Sequence, residues 1–428
     1  MRTGDKLVRT NLVKLARICC IFLVMATFSA RATEDSVSSL AQNPRCASGL
    51  EWIDKNSGWV TDQQIRLTEI PAPEFNEARR GEFLKDVFEA TGLKVRIDET
   101  GNVIGERAGT DPNRVILLAA HLDTVFPGAD VRVRRVAGRL EAPGISDNGA
   151  GLAALAGLAR ALSESRIRTT KTIVFAGDVG EEGEGNLRGI RALVESYGPR
   201  LAAVIAVDGP STEHITTQAI ASRRVEVSVS GPGGHSWSDF GAPNPITAIS
   251  RGIVQFSSIR VSDHPRSSYN VGVIEGGTSV NSIPSRVSVK VDLRSEDDAE
   301  LSRMELALRQ AMQAGVKEET SGWHSPSHSL QLSFRLLGAR PAGKLPDDSS
   351  LLQVIRDVDR YLGNHSRLER SSTDANIPLS LGTPAVALGA GGRGGGSHTP
   401  NEWYDPSGRE LGLKRLFLIA LSLATVQP

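Results

Sequence analysis

The sequence has no net charge: 49 Lys and Arg are matched by 49 Asp and Glu. No global field therefore draws the chain to nucleic acid or anionic lipid. It is also poor in cysteine. Of its three, Cys19 and Cys20 fall in an apolar run near the amino end, leaving Cys46 alone beyond it. A lone cysteine makes no internal disulfide, so an oxidising compartment is tolerated but not exploited. Beyond that first run no stretch is long and apolar enough to cross a bilayer. A phosphate fingerprint is missing too: no Gly-x-Gly-x-x-Gly follows a first strand and opens a helix, which argues against a nucleotide-binding doubly wound protein. No internal repeat is evident.

What is present suits a soluble α/β enzyme. At 428 residues, with 39% hydrophobic content and 43 glycines, the chain has material for two domains, a sizeable core and many tight turns. The first 32 residues read as an export signal, with Lys6, Arg9, Lys14 and Arg17 ahead of the apolar run 18–28 and Ala30-Arg31-Ala32 at the cleavage spacing. The expectation is an exported chain, periplasmic or secreted, with no membrane contact after cleavage.

The organising stretch is 115–120, six apolar residues that run straight into His121-Leu122-Asp123. An unbroken apolar run reads as a strand buried on both faces, and in an open α/β sheet ligands bind at the carboxyl ends of such strands. Asp123, two positions on, is placed to orient the His121 ring. Helical periodicity over 77–91, strand patterns at 94–97 and 103–105, and turn chemistry at 98–102 give an α/β layout with a parallel component. Two more apolar strands follow, 171–176 and 201–207. The first leads into Glu181-Glu182, adjacent carboxylates that repel unless a cation or a shared proton offsets the cost, and the second ends in Asp208. Asp147, between glycines and just before an Ala/Leu-rich helix, is either its N-cap or a metal ligand.

From about residue 217 the pattern changes to alternating strands and amphipathic helices: 225–229, 245–256, 269–274, 287–293 and 297–314. That order reads as a small α+β sandwich inserted over 217–329 into a domain made of 33–216 and 330–428.

These residues resemble the zinc-dependent exopeptidase family of the aminoacylases, carboxypeptidase G, peptidase T and the succinyl-diaminopimelate desuccinylases. The motifs fall in the family's order: His121-Leu122-Asp123, Asp147, Glu181-Glu182, Asp208, His235 in Gly231-Pro232-Gly233-Gly234-His235-Ser236, and His398 in Ser397-His398-Thr399-Pro400-Asn401-Glu402. The resemblance implies a mixed-sheet catalytic domain flanked by helices, plus an inserted lid that also carries the contact of a homodimer. It implies two zinc ions per subunit, bridged by Asp147, one completed by His121 and Asp208 and the other by Glu182 and His398. Manganese or cobalt fits the same donors. Glu181 would be the general base, taking a proton from the attacking water and passing it to the leaving amine. A cis peptide after Asp147 is implied as well.

In the lid, the resemblance has His235 reach a neighbouring subunit's site to stabilise the oxyanion, with Asn281 and Arg294 recognising substrate. Arg393, in the glycine-rich run 389–396, belongs to a backbone nest for a charged end of the substrate. Aspartate rather than glutamate at 208 leans the reading toward short peptides with a free amino end. An N-acyl amino acid amidohydrolase or a carboxypeptidase on the same site is the alternative, and an exported peptide- or metal-binding module without catalysis is the alternative of another class. Glu181 argues against the last, because a pure binder needs no base.

Overall fold

The computed structural model describes residues 36–128, 130–321 and 329–427. The expected export signal lies outside them.

A nine-stranded mixed sheet forms the larger lobe. Its centre is four parallel strands in the order Lys171–Asp178, Asp111–His121, Leu201–Val207 and Ala385–Leu388. Antiparallel strands flank them on both sides: Val103–Arg107 and Lys94–Ile97 at one edge, His214–Ala219 toward the other. Residues 115–120 are buried on both faces, as an unbroken apolar run requires once helices cover both sides of a sheet. The helix Gly149–Ser165 packs here, with Leu152, Leu155 and Leu158 fully buried, each such side chain contributing about 1.5–3 kcal/mol. The helix Arg409–Ala424 completes this core through Leu416, Phe417, Leu418 and Ile419. Among the described residues no helix is long and apolar enough to span a membrane.

The second lobe has a hydrophobic core of its own. Four antiparallel strands lie in the order Ser267–Gly276, Arg286–Ser295, Ala221–Ser230 and Gln331–Arg340, covered on one face by the helices Pro245–Ser257 and Asp298–Ser321. Val225, Val227 and Val229 alternate into that core, which is the period-two pattern of a sheet with one wet face. The boundaries shift from the sequence reading. Strand His214–Ala219 still pairs in the large sheet, and strand Gln331–Arg340 pairs with Ala221–Ser230, so the smaller sheet runs from Ala221 to Arg340 rather than ending before 330. Polar alternation in 331–340 hides an edge strand whose partner is a hundred residues away, and only the register reveals it.

Candidate metal centre

The parallel strands bring their carboxyl ends to one edge, and the functional side chains gather there. His121 is the last residue of its strand, Asp208 follows Val207, and Glu181 and Glu182 lie three and four residues past Asp178. Asp147 reaches the same edge from the amino end of the helix Gly149–Ser165, and His398 from a turn after the strand Arg393–Gly395.

Asp147 stands between two donor sets. One oxygen lies 3.1 Å from Nε2 of His121, and Nε2 of His121 is 4.0 Å from Asp208. Its other oxygen lies 3.3 Å from Nε2 of His398, which is 2.9 Å from Glu182. Each triad, His121–Asp147–Asp208 and Asp147–Glu182–His398, offers ligand atoms within 4.8 Å of one another. The sequence left Asp147 as cap or ligand, and the structure separates the roles. Asn148 is the N-cap, its Oδ1 accepting from the N–H of Gly151, which leaves the Asp147 carboxylate free to face the cleft. The peptide between Asp147 and Asn148 is cis. Gly151 has to be glycine, since a Cβ there would meet the carbonyl of Val207 at 2.4 Å.

The electrostatics are those of too much negative charge in too little water. Burial, reinforced by Asp147, pushes the Asp208 carboxyl up to about 7. Hydrogen bonds donated to the Asp147 and Glu182 carboxylates hold the His398 imidazole up at about 10, and His121, although burial opposes it, is raised by Asp147 and Asp123. Protonated imidazoles offset part of the carboxylate charge in this arrangement. Two divalent cations would do so with the imidazoles neutral and coordinating, and a mixed nitrogen–carboxylate set suits zinc. The donor sets therefore fit a pair of metal ions.

Three supporting residues fix the geometry, and for one of them the structure adds to the sequence reading. The Asp123 carboxylate stands beside the His121 ring, its Oδ1 3.7 Å from Nδ1, without a hydrogen bond between them. Nδ1 of His121 is 3.0 Å from the backbone carbonyl of Asp123, while the Asp123 carboxylate accepts the N–H groups of Gly180, Glu181 and Glu182 at 2.8–3.0 Å. From its place beside the ring it holds the turn that carries the two glutamates.

The other two were not assigned roles from sequence. The buried Glu402 accepts the N–H groups of Gly144, Ser146 and Asp147 at 2.7–2.8 Å, and so secures the loop that carries Asp147. Burial pushes its carboxyl up to about 7 even though those three donors pull it down. Its place four residues after His398 is the only hint the sequence holds. Arg340 donates to Oε1 of the buried Glu181 at 2.8 Å and also to the Glu181 carbonyl. Burial raises the Glu181 carboxyl well above its ordinary range, and Arg340 draws it back. No local pattern marks an arginine that reaches its partner across 159 residues.

Of the other predicted residues, Arg294 lines the cleft, an opening of ≈ 390 Å³ shared with Asp147, Glu181, Asp208 and His398. His235 and Asn281 do not line it. Both sit on exposed loops of the second lobe, joined where the N–H of Ser236 meets the carbonyl of Asn281. Arg393 also lies outside the lining, exposed and 3.4 Å from Asp405. The glycines around it answer to packing. A Cβ on Gly391 would meet the carbonyl of Arg409 at 2.4 Å, and one on Gly394 the Ser146 hydroxyl at 2.3 Å, so the run lets a strand lie close against the helix Arg409–Ala424 and the Asp147 loop.

Known proteins share this arrangement of chain. The model of the peptidase family M20/M25/M40 matches residues 117–422. A Bacillus subtilis protein designated uncharacterized protein YqjE is 26% identical over 372 residues, covering 81% of this chain and 93% of that one. A putative succinyl-diaminopimelate desuccinylase of Mycobacterium tuberculosis is 25% identical over 333 residues, 76% and 88% of the two chains. The crystal structure of aminopeptidase PepT from Bacillus cereus superimposes with a TM-score of 0.66 at 23% identity, covering 86% of this chain and 99% of that one. The dipeptidase Dug1p from Saccharomyces cerevisiae reaches 0.72 at 14% identity, covering 88% and 98%. At such identities the two structures speak to the fold.

Proposed function

This chain belongs to the peptidase family M20/M25/M40, whose model matches residues 117–422, and from that premise we propose the assignment of its residues to the reaction. It is a metal-dependent hydrolase of C–N bonds acting on peptides. The substrates proposed are short peptides, the ions zinc, and the donors His121 and Asp208 on one side, Glu182 and His398 on the other, with Asp147 between. One observation carries the reading: the two oxygens of Asp147 face two separate donor sets.

When bound, the ions supply Lewis acidity toward the scissile carbonyl and the attacking water. The chain's own residues do the rest. Glu181, buried and raised in pKa, takes a proton from that water and delivers it to the leaving amine, and its elevated pKa suits both halves of the transfer. Arg340 keeps Glu181 in one orientation, Asp123 fixes the turn beneath it, and Arg294 on the cleft wall recognises substrate.

The homodimer is proposed through the second lobe. Trp237, Phe240 and Val280 are 86%, 80% and 102% exposed there, beside the loops of His235 and Asn281. Large apolar side chains at such exposure mark an interaction surface, and pairing would let His235 serve the oxyanion of a partner's site. Export to the periplasm or beyond is proposed from the leader pattern in residues 1–32.

The test is Glu181→Gln, with zinc content and turnover of a dipeptide and tripeptide panel measured together. Turnover lost with zinc retained is expected. Unchanged turnover removes Glu181 as the base, and loss of both places it among the ligands. An N-acyl amino acid amidohydrolase is the second reading, and Arg294 in the cleft suits it as well as a peptide, since both substrate classes present a carboxylate. N-acetyl amino acids in the same panel separate the two.

A further inference from the structure

The cleft extends past the proposed metal donors along the face of the larger sheet. Strands Leu201–Val207, Ala385–Leu388, His214–Ala219 and Arg367–Ser371 lie side by side. The last two pair in parallel, with Arg367 opposite His214 and Glu369 opposite Thr216. Alternate residues of a strand share a face. His214, Thr216, Glu369 and Ser371 all line the cleft, while Ile215 is buried in the core. The polar face of these strands therefore belongs to the cleft and the apolar face to the core.

Five acids line this cleft: Asp147, Glu181, Glu182, Asp208 and Glu369. The first four are the proposed donors and base, which leaves Glu369 with no part in that chemistry. Its Oε1 accepts from Nε of Arg367 at 3.2 Å, and its Oε2 accepts no hydrogen bond among the described residues. Nε2 of His214 is 3.1 Å from the same Oε1, but it accepts from Arg367 at 2.9 Å and in that state has no proton to give. Arg367 is 71% exposed. An ion pair so open to water is weak, and a cation arriving from the cleft side competes with it.

Glu369 stands three strand spacings, about 14 Å, across the sheet from the strand that delivers Asp208. The α-amino group of a peptide cut at its first bond lies within one residue's length of the attacked carbonyl, about 3.5 Å, and falls short of that position. A long side chain ending in a cation spans the distance. Once there it makes a charge-assisted hydrogen bond that a neutral side chain of the same length does not make.

We propose that Glu369 binds the cationic end of a basic side chain in the substrate, so that this chain prefers peptides containing lysine or arginine over those with a neutral side chain of the same length. The inference rests on the peptide-hydrolase reading above, and adds to it a specificity-determining residue and a chemical class of substrate. The group recognised is an ammonium or guanidinium, whose other source is the α-amino end.

The zinc-loaded full chain is assayed on alanyl-lysine against alanyl-norleucine and on lysyl-alanine against norleucyl-alanine, pairs that differ only in the side-chain amine. Alanyl-alanine against propionyl-alanine, which lacks only the α-amine, tests the other source. Lysine is expected to be preferred in at least one pair. Glu369→Gln is expected to shrink that preference roughly 10-fold, chiefly through KM, with Glu369→Asp intermediate. Arg367→Gln removes the competing cation and is expected to enlarge it, a gain that a purely structural role for Glu369 does not produce. Equal losses on both members of a lysine pair in Glu369→Gln would overturn the proposal, and so would an effect confined to the alanyl-alanine pair.

Calorimetric binding of free lysine and norleucine to the zinc-loaded protein gives a readout free of turnover. Lysine is expected to bind more tightly, with the difference lost in Glu369→Gln, and equal binding of the two counts against the site. Peptides turned over without a lysine preference remove this site and leave the hydrolase reading standing. If no peptide is turned over yet lysine binds in a Glu369-dependent way, the hydrolase reading falls and the cation site stands.

Discussion

The carboxylate of Glu402 lies 2.8 Å from the backbone nitrogen of Asp147, and the same group also takes the N–H of Gly144 and Ser146. Asp147, the proposed bridging ligand, is thus held from behind by an acid that the cleft does not expose. Replacing Glu402→Ala is expected to weaken zinc binding about 10- to 100-fold, the usual effect of removing a group that orients ligands. Glu402→Gln is expected to fall between, since its one carbonyl oxygen can still accept from Ser146 and Asp147 while its amide faces the N–H of Gly144. Competition against a chelator measures both.

Arg340 tunes the proposed base. Without it, as in Arg340→Met, the chief influence offsetting the burial that raises the Glu181 pKa is gone, and His121 alone still lowers it among the named neighbours. The ionised base then becomes harder to form, so the acidic limb of the kcat/KM profile is expected to move to higher pH. Breaking a buried pair also leaves a lone charge, at a cost of about 3–5 kcal/mol, readable in urea unfolding.

Asp123→Asn presents an amide N–H₂ where the turn over 180–182 needs an acceptor. A loss of about 1–3 kcal/mol of stability is expected. Turnover should drop further than zinc content, because the Glu181 backbone hangs on this carboxylate.

Metal removal has a direction as well. Ions that bind only the folded chain stabilise it by about 2.7 kcal/mol at a hundred times Kd, so chelation is expected to lower Tm and abolish turnover, with zinc restoring both.

Cys46 is fully buried, and burial pushes its thiol up to about 12. At pH 8 it stays protonated and enclosed. Iodoacetamide is expected to leave the native protein unlabelled and to react once the chain is unfolded, which mass spectrometry reads directly.

Three of the four parallel strands were legible because each is a continuous apolar run leading to a carboxylate or imidazole, and burial on both faces demands that apolar pattern. The five proposed metal donors were read as a set because their order along the chain resembles a known family, and they gather at one edge of the sheet. What escaped is instructive. The helix Ser57–Thr68 has polar residues such as Gln63 and Gln64 buried toward the core, so its period was masked. Asn148 took the capping role next to Asp147 because both residue types cap well and only geometry decides. Asp123 was read only beside the His121 ring, and its hydrogen bonds to the turn over 180–182 are contacts that no spacing encodes. Arg340 and Glu402 act over separations of 159 and 255 residues, and no local spacing encodes such contacts.

Strand Gln331–Arg340 begins in the smaller sheet and finishes with its last side chain on Glu181. Nearby, Asn186 accepts from Ala339, and Lys290 on the neighbouring lobe grips Glu184, a few residues past the base. The Glu181 carboxylate, the proposed base, is thereby tied to the smaller sheet as well as to the larger one. Were the smaller lobe to swing, it would pull on the arginine that offsets the burial of Glu181, and the position of that lobe and the acidity of the proposed base would form one mechanical variable.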